Sequence, residues 1–138
     1  MKIFNEIKLA QELIRFPTVK TEDRGIMKFL SRKLSSIGFR CKIIKSKGIG
    51  QKPALNLYAK YGNSKRHINF LGHTDVVANL NNWKIPPFKG VVRKGYLNGR
   101  GSQDMKGGIA CFISAISTFI KNKKFKGCLL YTSDAADE

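Results

Sequence analysis

Two short segments carry the residues best suited to chemistry. Phe70-Leu-Gly-His-Thr-Asp-Val76 sets His73 and Asp75 two positions apart behind an apolar run, and Gly99-Arg-Gly-Ser-Gln-Asp-Met-Lys-Gly-Gly108 sets Asp104 just ahead of another. In extended backbone, residues two apart leave the same side of the chain. The Asp75 carboxylate can then accept one imidazole N–H of His73, fixing the tautomer and leaving the other ring nitrogen for a metal ion. Asp104 supplies a further oxygen donor, and a carboxylate with two oxygens can bridge two cations, as two-metal hydrolysis requires. Simpler roles stay open for each residue. His73 can be structural, Asp75 can close an Asx-turn on its own loop, and Asp104 can be a plain helix N-cap. A phosphate loop is excluded, because Asp104 stands where a dinucleotide fingerprint wants its third glycine and no GK[ST] follows.

The elements that must position these residues alternate in type. Ile3, Ile7, Ala10, Leu13 and Ile14 recur at helical spacing and Pro17 stops the pattern, which predicts a helix over residues 2–15. A second helix is expected after Thr21 as N-cap, with the stripe Ile26, Phe29, Leu30, Leu34, Ile37 and a stop at Gly38. Residues 39–45 read as a strand, 47–53 as a loop, and Leu55, Leu57 and Ala59 alternate with polar neighbours as in a half-buried strand. A turn at Gly62-Asn63-Ser64 leads to a strand over 66–71 that ends at Gly72. His73 to Asp75 thus emerge at a strand's C-terminal end, where open α/β sheets place their ligands. Strands near 90–93 and 96–98 and a helix from Lys106 to Lys121 follow. The expected fold class is α/β, a mixed sheet flanked by helices.

Composition narrows the classes. A chain of 138 residues allows one modest domain at most. It contains no apolar run of membrane-spanning length and begins without a signal-peptide pattern, so a cytoplasmic protein with no membrane partner is expected. Cys41, Cys111 and Cys128 form no CxxC pair, and reduced thiols are expected. The net charge of +17 raises nucleic acid as a partner. The basic residues, however, spread along the whole chain, with one dense cluster at Asn122-Lys-Lys-Phe-Lys126, and aromatic residues are not interleaved as a stacking platform requires. No nucleic-acid partner is expected, and a basic nucleic-acid-binding domain remains the rival of another class.

With these motifs in view, the sequence resembles the co-catalytic zinc aminoacylases and carboxypeptidases. The resemblance covers residues 5–127 and is carried by Leu13-Ile-Arg-Phe-Pro17, Ile37-Gly-Phe39, Leu55-Asn-Leu-Tyr-Ala59, Gly72-His-Thr-Asp-Val-Val77, Trp83 with Pro86-Pro-Phe88, and Gly99-Arg-Gly101 with Asp104-Met-Lys-Gly107. Val76-Val77 and the doubled Pro86-Pro87 look more like the branch that removes succinate than the branch that deacetylates acetylornithine; residues 78–80 lack the proline and glycine of that pattern. The resemblance implies the N-terminal part of a zinc-exopeptidase-like catalytic domain, without the lid domain. It implies two zinc or cobalt ions, with His73 on one, Asp104 bridging both, and Asp75 as the catalytic-motif aspartate that orients His73. The implied substrate is a small N-acyl amino acid, N-succinyl-LL-2,6-diaminopimelate, on the route to lysine. Full-length members look like homodimers, an assembly not expected of this chain. A Glu-Glu pair, general base and zinc ligand, should follow the next strand.

Asp137-Glu138 falls near that expected pair, but residues 128–138 read differently from the rest. Cys128-Leu-Leu-Tyr-Thr-Ser-Asp-Ala-Ala-Asp-Glu138 looks like a translated sequencing adapter, and it holds no Lys or Arg, whereas the preceding 127 residues hold all 26. The expected division is a native but incomplete segment 1–127 and a non-native tail 128–138. Leu129, Leu130 and Tyr131 can still imitate a strand beside the one ending at Gly72, because backbone pairing does not depend on side-chain origin.

Overall fold

The computed structural model describes residues 2–20, 22–46, 53–78 and 81–134. The first helix, α1 (Glu6–Ile14), starts later than the apolar spacing predicts, because Asn5 caps it by accepting Lys8 N–H at 2.9 Å. Leu9, Ala10, Leu13 and Ile14 form its buried face, while Ile3 and Ile7 lie exposed. The second helix, α2 (Ile26–Ser35), is entered through Asp23, whose carboxylate accepts the N–H groups of Gly25 and Met27 at 2.8 and 3.1 Å. Thr21, the expected cap, lies outside the described residues, as do 47–52, 79–80 and 135–138, the last including Asp137-Glu138. Gly38, at φ 96°, ends the α2 segment as expected, and Phe39 N–H returns to Leu34 O.

Strand β1 (Arg40–Lys45) pairs antiparallel with β2 (Leu55–Tyr61). β3 (His67–His73) runs through Gly72 and ends on His73 itself, one residue beyond the expected stop. A separate two-stranded ladder joins β4 (Val91–Arg93) and β5 (Tyr96–Asn98), and α3 (Lys106–Asn122) is the longest helix. Residues Cys128–Asp134 form β6, which lies between β2 and β3, antiparallel to the first and parallel to the second, giving the order β1-β2-β6-β3. The pairing anticipated for Leu129 to Tyr131 beside the His73 strand is present.

Strand registry divides the sheet into two faces. Leu57, Ala59, Leu129, Tyr131 and Phe70 face the helices and join Leu13, Leu30, Ile109 and Ile113 in the core. Phe70 stacks on Phe112 at 4.4 Å between centroids, with Tyr131 beside both. The opposite face carries Ile44, Tyr58 and Leu71, exposed among the described residues. Those three edge a shallow groove of about 230 Å³ together with Thr132.

β6 also buries two hydroxyls, Tyr131 Oη and Ser133 Oγ, that have no well-aligned hydrogen-bond partner among the described residues. Burial pushes the Tyr131 phenol well up, and the Ser133 hydroxyl nearby opposes that shift only weakly. An unpaired buried hydroxyl costs about 1–3 kcal/mol. Tyr131→Phe should therefore raise unfolding stability by about 1 kcal/mol, read as a higher urea midpoint at unchanged slope. A loss of similar size would reveal a partner for the phenol.

Candidate metal-hydrolase site

His73 is the last residue of β3, and the chain beyond it stays extended because a second segment is laid along it. Thr18 Oγ1 donates to Thr74 O at 2.5 Å, Val76 N–H donates to Thr18 O at 2.9 Å, and Val19 bridges Val76 in parallel. With the backbone extended, the His73 and Asp75 side chains share one side, and His73 Nδ1 lies 3.3 Å from Asp75 Oδ1. Nδ1 is equally near the Asp75 backbone carbonyl, at 3.3 Å.

Asp104 arrives from the Gly99-Arg100-Gly101 turn. A Cβ at Gly99 would come within 2.6 Å of Ile14 Cγ2, and one at Gly101, which sits at φ 80°, within 2.8 Å of Val76 Cγ1. Neither position accommodates a side chain without displacement, and the left-handed φ adds strain at Gly101. The turn can therefore press against α1 and the His73 loop. The Asp104–Met105 peptide bond is cis. Asp104 does not serve as the N-cap of α3: Met105 occupies that position, without a side-chain bond, and the 83% exposed Asp104 side chain turns instead to His73. His73 Nε2 and Asp104 Oδ1 stand 2.9 Å apart.

The three sequence-predicted residues thus meet at one cleft of about 270 Å³, walled by Val76, Trp83, Arg100 and Ser102. Arg100 stacks its guanidinium on the Trp83 ring at 5.0 Å. Two donor atoms of the type zinc prefers face each other across it, and with zinc bonds of about 2.0–2.2 Å one ion can reach both. The donor set fits a metal in chemistry and spacing, but among the described residues no group of three or more His, Cys, Asp or Glu is disposed around one ion.

Both ring nitrogens of His73 face oxygens, which suits the doubly protonated ring. Burial, the largest influence, works against that charge; the Asp104 hydrogen bond, the charges of Asp75 and Asp104, and the Asp75 carbonyl together outweigh it, and the pKa is raised above 6.5. The sign follows. This contribution to stability is complete below about 6.5 and is lost as pH rises through the folded value. A metal must displace the Nε2 proton, so zinc affinity should fall about tenfold per pH unit below the raised pKa, with proton release on binding. Calorimetry in buffers of different ionisation enthalpy reads both; a flat affinity between pH 5 and 7 would exclude His73 as the ligand.

One further residue belongs to the site and escaped the sequence reading as more than a motif letter. Lys106, the first residue of α3, is fully buried and donates from Nζ to Phe16 O at 2.7 Å. Burial pulls its pKa down to about 8, with the Asp75 carboxylate acting the other way. The available signal was its position, since a cation in a helix's first turn opposes the macrodipole and needs another reason to be there.

Residues 70–138 match the model of peptidase family M20/M25/M40. The chain belongs to peptidase family M20/M25/M40. Among the curated relatives, the succinyl-diaminopimelate desuccinylase of Pelagibacter ubique (strain HTCC1062) is 47% identical over 97% of this chain and 36% of its own length. The protein of the same name from Anaplasma marginale (strain Florida) is 38% identical over 100% of this chain and 35% of its own. The chain therefore spans about a third of the length of these relatives. Among solved structures, human carnosine dipeptidase 1 superposes with a TM-score of 0.83 at 20% identity, covering 94% of this chain and 31% of that one. The M20 family metallo-carboxypeptidase Sso-CP2 from Sulfolobus solfataricus gives 0.81 at 20% identity over 96% and 31%. At that identity the likeness establishes the α/β fold, the mixed sheet flanked by helices expected from the sequence. No described helix is long and apolar enough to cross a membrane.

Proposed function

We propose that the chain is the N-terminal part of a cytoplasmic two-zinc amide hydrolase, with cobalt as the alternative metal, that releases succinate from N-succinyl-LL-2,6-diaminopimelate. His73 would hold one zinc, Asp104 would bridge both, and Asp75 would orient His73. The observation that carries this reading is the 2.9 Å approach of His73 Nε2 to Asp104 Oδ1 across the cleft, with Asp75 behind Nδ1. The relatives' names favour the desuccinylase over acetylornithine deacetylase or another aminoacylase. Zinc bound there supplies Lewis-acid polarisation of the scissile carbonyl. The chain's own residues do the rest of what is present: Asp75 retains the Nδ1 proton so that Nε2 offers its lone pair, and the Trp83–Arg100 wall shields one side of the cleft.

As it stands the chain should bind zinc weakly and hydrolyse nothing, since the two ligands proposed among the described residues fall short of the three a catalytic zinc normally has. Residues 128–138 are proposed to be foreign to the parent protein, a reading supported by their lack of Lys and Arg.

The test is exchange of residues 128–138 for the genomic continuation. Zinc-dependent succinate release is expected from the completed protein and not from the 138-residue chain. Chelator-sensitive release by the 138-residue chain itself would contradict both the missing-ligand argument and the foreign tail. Salt-dependent binding to nucleic acid by a completed protein that hydrolyses no amide would favour the rival class.

A further inference from the structure

The short segment from Phe16 to Lys20 is bonded to both arms of the cleft. On one arm Phe16 O accepts the Lys106 ammonium at 2.7 Å, and Lys106 N–H donates to Gly101 O at 2.9 Å, so the turn that carries Asp104 is closed by a residue anchored on Phe16. On the other arm the Thr18 hydroxyl donates to Thr74 O at 2.5 Å, Thr18 O accepts Val76 N–H at 2.9 Å, and Lys20 N–H donates to Val76 O at 3.3 Å. Thr74 stands between His73 and Asp75, one residue past the last ladder pair of β3 with β6, His73 opposite Asp134. The donor its carbonyl receives is the hydroxyl of Thr18. Thr18 and Thr74 are 1% and 5% exposed, so water is a poor substitute there. A buried carbonyl deprived of its donor is costly, and its peptide turns to find another. Turning the 74–75 peptide moves the side chains that flank it.

We propose that Thr18 is a positioning residue for the site: its hydroxyl, on a segment fixed to the Asp104 turn through Phe16 and Lys106, holds the Thr74 carbonyl so that His73 Nε2 stays in register with Asp104 Oδ1. The 2.9 Å approach of that pair is then set from a residue outside it. The consequence for metal affinity rests on the reading of His73 and Asp104 as ligands; the register of the two side chains does not.

The test uses the zinc-free 138-residue chain and the nuclear Overhauser cross-peak between the His73 ring and the Asp104 Hβ protons. The chain holds two histidines, and His67→Gln assigns the ring signals. Thr18→Val removes the hydroxyl and keeps the branched shape, whereas Thr18→Ser keeps the hydroxyl and drops the methyl. Ile37→Val trims the buried core elsewhere and controls for a general loss of stability. The cross-peak is expected in the parent chain, in Thr18→Ser and in Ile37→Val, and is expected to vanish in Thr18→Val. Zinc affinity should fall about 10-fold or more in Thr18→Val and recover in Thr18→Ser, as for other groups that orient a metal ligand. Persistence of the cross-peak in folded Thr18→Val, its absence from the parent chain, or its loss in Thr18→Ser or Ile37→Val overturns the proposal. A Thr18→Val chain that cannot fold while Thr18→Ser does marks the hydroxyl as a folding element and overturns it as well. If the cross-peaks behave as expected while no protein binds zinc, the positioning role stands and the metal-site reading falls. If all bind zinc equally and the cross-peak persists throughout, the opposite holds.

Discussion

Ile109→Ala is expected to remove about 3–4 kcal/mol of unfolding stability, within the range for deleting a fully buried isoleucine side chain down to alanine. Ile109 is 0% exposed in α3, and its Cγ1 lies where a Cβ on Gly72 would approach to 3.2 Å, directly beneath the end of β3. The cavity left there cannot close easily, because Phe70, Phe112 and Tyr131 are already stacked against one another. In urea the midpoint should drop at unchanged slope, and the melting temperature should fall by roughly 10 °C or more for a chain of this size. Ile7→Ala, on the exposed side of α1, should stay within about 0.5 kcal/mol. Equal losses in the two variants would mean that α3 does not anchor the sheet.

His73→Ala and Asp104→Ala should each lower zinc affinity by at least about 100-fold, the upper end of what removal of a merely orienting partner costs. Each deletes one of two donor atoms that stand 2.9 Å apart, so neither survivor retains a chelate. Asp75→Ala leaves both donors and should cost less, because Nδ1 still has the Asp75-position backbone carbonyl at 3.3 Å. The ranking is the informative part. An Asp75 variant weaker than the His73 variant would reassign the ligand.

The motif residues were legible because chemistry restricts them twice, by type and by neighbouring backbone. Glycines at 99 and 101 and an apolar run before His73 announce tight turns and a strand end, and those are what bring Asp104 to His73. α3 was legible in full, since Ile109, Ile113, Ile116 and Ile120 allow one buried face over a long helix. α1 was less so. Ile3, Ile7, Ala10 and Leu13 satisfy helical spacing, but periodicity cannot say that Asn5 will cap the helix and leave Ile3 outside it, nor which of several apolar sides meets α3. α2 begins through Asp23 and Gly25 at φ 88°, a tertiary choice that the first acidic residues after Thr21 only hint at. Lys106 was invisible for a different reason: a lysine reads as surface until its buried partner is known, and Phe16, whose carbonyl accepts its ammonium, is 90 positions away in sequence.

Zinc K-edge X-ray absorption on the 138-residue chain, loaded with one equivalent, addresses the central claim most directly. The account predicts nitrogen and oxygen scatterers at about 2.0–2.2 Å, including the outer-shell pattern of a single imidazole, and loss of that imidazole in His73→Ala. Sulfur at about 2.3 Å, which would place the ion on Cys41, Cys111 or Cys128, or an imidazole signal that survives in His73→Ala, would contradict it.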